Sequence, residues 1–263
     1  RPDGGMAADP TEEPATEVPI PPDLAPATAP RGSVPASLAP QDNVLGGILL
    51  LSVAFQFALR SPPIGTSFML FYATGIIPMT TYNSMQQAVM KTVSSNRGLL
   101  SYPPVTLIDA VIAKFLLNTL TSGVVAAVLF SSIILYDGLY VTLSPGPLVA
   151  GFLLAALLGL GVGSVNCVLT GFFPTWRNIW AVITRPLFIL SGVFFLYESV
   201  PPGFQHILWW NPLVHVIGLL RAGIFATYQA DFVSYPYILG VSLGLFAVGG
   251  WLMRRHAAWL IEQ

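Results

Sequence analysis

Residues 107–136 read LIDAVIAKFLLNTLTSGVVAAVLFSSIILY, an apolar run whose only charges, Asp109 and Lys114, lie near its start. A helix that crosses a bilayer needs about 20 predominantly apolar residues, within a range of about 17–25. The run meets that requirement from about Leu107 to Tyr136, so the chain around it reads as an integral membrane protein.

Five more runs of this kind flank it. They cover Val44–Leu59, Ile64 to about Met85, Leu148 to about Phe173, Ile179 to about Tyr197, and Tyr235 to about Met253. The first, closed by Arg60, Pro62 and Pro63, is only about 24 Å long at 1.5 Å per residue. It calls for residues before Val44 if it is to span. The last is closed by Arg254, Arg255 and His256. Glu198–Ser234, between the fifth and sixth runs, is neither a clean span nor a hydrophilic loop. The pattern predicts an all-α integral membrane protein with six transmembrane helices and short re-entrant helices between the fifth and sixth.

Composition agrees. Of 263 residues, 54% are hydrophobic and 9% charged, against roughly 25% charged in a soluble domain; the mean hydropathy is +0.70. The net charge of −1 conceals an asymmetry. Residues 1–42 hold seven acids and two bases, while the rest holds nine bases and five acids. Ten of the 23 prolines and no aromatic residue fall in the same first stretch. Such a segment cannot bury enough apolar surface to offset ordering entropy. Residues 1–43 are therefore expected to be a disordered, Pro-rich acidic tail, and Arg1 in place of Met leaves a trimmed or non-native start open. No basic stretch followed by an apolar core occurs near the start, which argues against a cleavable signal peptide.

The placement of Lys and Arg orients the chain. With even-numbered loops in the cytoplasm, that side collects Lys91, Arg97, Lys114, Arg177, Arg185, Arg254 and Arg255, and the other only Arg60 and Arg221. Both termini are then cytoplasmic.

Several motifs carry less than they promise. Gly159, Gly161 and Gly163 imitate part of a dinucleotide fingerprint but lie inside an apolar run with no preceding strand. Close helix packing through small residues explains them better. No Gly-rich loop ends in Gly-Lys-Ser/Thr, so the chain has no nucleotide-binding P-loop. The three histidines, His206, His215 and His256, form no metal-ligand pair with a carboxylate. Cys167, the single cysteine, rules out an internal disulfide and reads as an inert buried thiol. Asp109 and Lys114 are read as snorkelling or pairing near the cytoplasmic end of their span. The mid-membrane carboxylates or histidines of an ion-coupled carrier are almost absent. No catalytic residue, metal ion or nucleic-acid partner is expected.

Two segments point to a mechanism. Gln87–Pro104 begins polar and basic, then presents Leu99-Leu100 before Tyr102-Pro103-Pro104, where proline fixes an abrupt turn. From composition it is either a docking element for a cytoplasmic partner or an interfacial loop dipped in lipid. In Glu198–Ser234, FQHILWW is broken at Asn211-Pro212 from LVHVIGLLRAGIF, and each piece is too short to cross. Trp209 and Trp210 suit the headgroup level. The alternatives are an aromatic anchor, or an exit path rimmed by His206, Trp209, Trp210, His215 and Arg221, with Arg221 reaching water or an anionic group.

Four stretches carry a family resemblance: RSPPIGTSFMLFYATGIIP (Arg60–Pro78), SNRGLLSYPPVTLIDAVIAKFLLN (Ser95–Asn118), FFPTWRNIWAVITRPLFILSGVFF (Phe172–Phe195) and WNPLVHVIGLLRAGIF (Trp210–Phe225). In this order and spacing the chain resembles the membrane subunits of bacterial ABC-type exporters of capsular and related surface polysaccharides. The resemblance makes residues 44–263 a transmembrane permease domain of the inner membrane. It implies a homodimer bound to a separate ATP-binding cassette subunit, which would hold the ATP and Mg and hydrolyse the nucleotide; the chain itself is not an enzyme. It implies a coupling loop with Ser95, Asn96, Leu99, Leu100, Tyr102 and Pro103 on that ATPase, and re-entrant helices in Pro201–Phe225 on the periplasmic side. The cargo would be a lipid-linked polysaccharide. Exporters of O-antigen, teichoic acid, drugs or lipids form the alternative, ahead of an ion-coupled carrier or membrane enzyme. One departure stands: the family's usual basic interfacial helix before the first span has no match in residues 1–43.

Overall fold

The second apolar run becomes the helix around which the others are arranged. A computed structural model describes residues 39–58, 62–95, 106–138 and 142–256, and every element in them is helical. In chain order these are α1 (Ala39–Ala58), α2 (Phe68–Met90), α3 (Thr92–Ser95), α4 (Leu107–Tyr136), α5 (Pro145–Phe172) and α6 (Trp176–Ile189). A 3-10 turn (Tyr197–Ser199), α7 (Pro202–Trp209), α8 (Pro212–Ile224) and α9 (Tyr235–Arg255) follow. Helix α2 packs against α1, α4, α5 and α8, and α5 against α2, α8 and α9. Residues 1–38 of the predicted tail lie outside the described residues, as do Asn96, Leu99, Leu100, Tyr102 and Pro103.

Local chemistry sets the boundaries. Helix α1 begins at Ala39, so the last five residues assigned to the tail belong to it, and the short first run gains the length it needed. Ser67 caps α2, its hydroxyl oxygen accepting the Leu70 N–H at 3.2 Å. Thr106 and Asp109 form a capping box at the start of α4: the Asp109 N–H donates to the Thr106 hydroxyl at 3.3 Å, and the Thr106 N–H to the Asp109 carboxylate at 3.1 Å. Asp109 is thus a cap, not a partner of Lys114. Pro145 opens α5 where a missing N–H does no harm.

Helices α4, α5 and α9 are each long and apolar enough to cross a membrane, and α7 with α8 passes the same test only as a pair bent by 100°. On α4, Leu116, Leu117, Leu120, Val124 and Val128 stand exposed, as lipid-facing side chains must. The glycines of α5 are contact points. A Cβ at Gly159 would stand 2.8 Å from the Tyr82 carbonyl oxygen of α2, at Gly163 2.9 Å from that of Gln86, and at Gly161 2.5 Å from that of Ser242 on α9. Two faces of α5 are therefore stripped of side chain so that α2 and α9 can close on it.

The fifth run departs from its expected extent, Ile179–Tyr197. Helix α6 stops at Ile189 after 14 residues, with Pro186 inside it, about 21 Å at 1.5 Å per residue. Gly192 then takes φ +84°, a left-handed turn that ends any helix there. The chain folds inward: Ser191 and Val193 are fully buried, and the Val193 backbone lies so close to α2 that a Cβ on Gly75 would meet it at 3.0 Å.

Candidate functional site

The bundle has two chemically different ends. At one, α2 finishes, α4 starts, α5 finishes and α9 finishes, bringing Lys91, Lys114, Arg177, Arg254 and Arg255 to the same end. Contacts confirm the alignment: the Lys114 ammonium donates to the Ala88 carbonyl at 3.3 Å, and the Phe172 and His256 rings meet at 5.1 Å. At the opposite end Ser67 donates to the Asp137 carboxylate, and the Ser144 N–H donates to the Gly223 carbonyl at 2.8 Å.

The opposite end carries the bent pair. Pro212 opens α8, where its missing N–H does no harm, and Asn211 before it caps the helix, accepting the Leu213 N–H at 3.1 Å through Oδ1. Its Nδ2 donates to the Leu190 carbonyl at 3.2 Å, closing the end of α6. Backbone groups freed at a helix break cannot face lipid, and here the protein supplies partners for them. His215, fully buried on α8, accepts the Ser234 N–H through Nδ1 at 3.3 Å. Nε2 must then hold the proton and donates it to the Trp209 carbonyl at 2.7 Å. The Trp209 indole stacks on Tyr237 at 5.0 Å and donates to the Phe232 carbonyl at 3.2 Å, and the Tyr237 hydroxyl donates to the Trp210 carbonyl at 2.6 Å. Helices α7, α8 and the start of α9 are locked into one corner.

Arg221 is placed differently from its expected position at water or cargo. It is 2% exposed. Its guanidinium donates to the Phe195 carbonyl at 2.8 Å and the Val193 carbonyl at 3.0 Å, and lies 4.4 Å over the Phe71 ring of α2. The planar fork matches two carbonyls left without helical partners by the break after α6. Beyond it, the Tyr228 hydroxyl donates to both Glu198 carboxylate oxygens, at 3.0 and 3.2 Å. Burial and that carboxylate push the phenol's pKa upward, so Tyr228 stays a donor. Of the five predicted path residues, Trp209, His215 and Arg221 face inward to varying degrees, while His206 on α7 and Trp210 just past its end are exposed. Phe204 and Ile207 are exposed on the same short helix.

At the basic end, a chain of side chains went unread in the sequence. The Trp176 indole donates to Asn166 Oδ1 at 2.9 Å, and Asn166 Nδ2 donates to Gln86 Oε1 at 3.5 Å, linking α6, α5 and α2. Gln86 and Asn166 are both buried. A signal existed: an amide among apolar residues needs a partner, and Gln86 and Asn166 each stand in such surroundings. Of the predicted coupling residues, Ser95 alone is described; it closes α3, and its hydroxyl donates to the Lys91 carbonyl at 2.8 Å.

Comparison with known proteins supplies the context. The family model of the ABC-2 type transporter membrane protein matches residues 43–225, from α1 through α8. The chain is 31% identical over 215 residues to the polysialic acid transport protein KpsM of Escherichia coli, covering 81% of each. It is 26% identical to the capsule polysaccharide export inner-membrane protein CtrC of Neisseria meningitidis and 21% identical to BexB of Haemophilus influenzae, a protein of the same description. Both of those matches cover 68% of each chain. With a family match over most of its length and relatives aligned along most of theirs, the chain belongs to the ABC-2 type transporter membrane family.

Proposed function

We propose that this chain is the membrane-spanning permease subunit of an ATP-driven exporter, and that its cargo is a lipid-linked capsular or related surface polysaccharide leaving across the bacterial inner membrane. The observation that carries this reading is the similarity to proteins named for polysialic acid transport and capsule polysaccharide export, extending over 81% of this chain in the first case. The sequence contains no P-loop, so a separate ATP-binding cassette subunit would bind ATP and Mg, and two copies of the chain would enclose the path. Six crossings are proposed: α1, α2, α4, α5, α6 with its inward turn, and α9. The α7–α8 corner then dips into the outer leaflet without crossing it, as its 8 and 13 residues and its 100° bend favour. His206 and Trp210 would meet the emerging polymer, while His215 and Arg221 hold the corner in shape.

Affinity purification of the tagged chain from its host tests the reading. An ATPase subunit without membrane spans is expected to come down with it, and removal of the chain should abolish surface polysaccharide. Purification without any ATPase, together with unchanged polymer after removal, would defeat the proposal.

Orientation has its own test. The basic end is assigned to the cytoplasm because cytoplasmic loops collect Lys and Arg, and both termini follow it. Cysteines engineered beside Asp137 and Asp231 should react with an impermeant maleimide from outside, and cysteines beside Lys91 and Arg177 should not. The reverse pattern would invert the topology.

A further inference from the structure

We propose that Lys114 is a positioning residue for energy coupling, tying α4 to α2 at the point where the chain leaves for the loop between residues 95 and 106. The proposal rests on reading that loop as the contact for the ATPase subunit.

Lys114 lies two turns inside α4, half-buried among apolar neighbours. A lysine at such a position can extend toward the nearby water and remain solvated. This one instead donates to the Ser95 hydroxyl and to the Ala88 carbonyl. Ala88 is among the last residues of α2, and its carbonyl also accepts the Thr92 hydroxyl at 3.3 Å. The ammonium thus meets the negative end of the α2 dipole. It also meets the acceptor side of Ser95, whose own proton goes to the Lys91 carbonyl at 2.8 Å. Asp109, the nearest acid on α4, is occupied by Thr106. The lysine is therefore directed at neutral oxygens of α2 and α3.

The consequence is mechanical. The start of the loop is held by the Lys114–Ser95–Lys91 chain. Its far end is held by the Thr106–Asp109 capping box and by Leu107, which is buried with Met85, Val89, Val111 and Cys167 in one apolar cluster. With α2 and α4 tied together on both flanks, a push arriving there moves the two helices together. Helix α2 continues from there to Phe71, beneath Arg221 and the α7–α8 corner.

The test uses Lys114→Met, which keeps the apolar stem and removes the donors, and Ser95→Ala, in the purified complex with the ATPase and in cells. For Lys114→Met, complex yield and ATP turnover are expected to stay near those of the unaltered complex. Surface polysaccharide per complex should fall about tenfold, the scale of one lost hydrogen bond to a charged group. Ser95→Thr should restore export, and the Lys114→Met/Ser95→Ala pair should be no worse than either alone, because both break one link. Normal export from Lys114→Met would overturn the proposal. So would a loss of complex yield matching the loss of export, which marks a merely structural lysine. Failure of the underlying loop reading shows separately: a variant with Leu99 and Leu100 both changed to Asp would then assemble normally with the ATPase.

Discussion

Replacing Arg221 by alanine is expected to destabilise the chain itself, with export falling only as far as folded protein falls. The guanidinium is the donor to two carbonyls, Val193 and Phe195, in a stretch with no helical bonds of its own. Each buried acceptor left without a donor costs about 1–3 kcal/mol, and the Phe71 ring also loses the cation above it. The total is on the order of several kcal/mol, a large part of the stability of an ordinary domain. Arg221→Lys should recover little, because an ammonium cannot present the planar fork that reaches both carbonyls and lies flat on a ring. Thermal unfolding in detergent and limited proteolysis around residues 190–200 would measure this. A cargo-contacting arginine predicts the opposite: unchanged melting and abundance with lost export. That result would return Arg221 to the path.

How much of this was legible in advance depends on what hydropathy can record. Runs of apolar side chains located α4, α5 and α9 closely, and the punctuation at Asn211-Pro212 located the bend between α7 and α8. Gly159, Gly161 and Gly163 were readable as packing positions because a nucleotide loop would require a strand before them. Helix α6 was overextended because Ser191, Gly192 and Val193 are as compatible with a helix in lipid as with an inward turn. Only the backbone at Gly192 and the partners on α2 and α8 decide between them. Arg221 was misplaced for a related reason. An arginine between apolar residues looks like a charge seeking water until the neighbouring carbonyls that need its donors are known. Polar groups missing from a single run, such as the partner of Gln86, lie 80 residues away in another helix.

Changing Leu99 and Leu100 together to aspartate is expected to abolish assembly with the ATPase while leaving membrane insertion intact. The two leucines form an apolar pair in a polar stretch, between Ser94-Ser95-Asn96-Arg97 and Pro103-Pro104. If they are buried at a protein contact, each aspartate places a charge where no cation is provided, costing on the order of several kcal/mol. Every 1.4 kcal/mol is a factor of ten in affinity, so two such charges would take a stable complex below detection in a pull-down. Insertion depends on different residues. The spans themselves are untouched, and the anchors on either side of the loop, Ser95 on Lys91 and Thr106 on Asp109, remain. The variant should therefore reach the membrane in normal amount, melt like the unaltered chain in isolation, and bring down no ATPase. An interfacial loop with its leucines in lipid predicts a different outcome. Aspartates there would draw the loop into water, and complex yield would hold. A normal yield of complex from the double variant would thus refute docking at this pair.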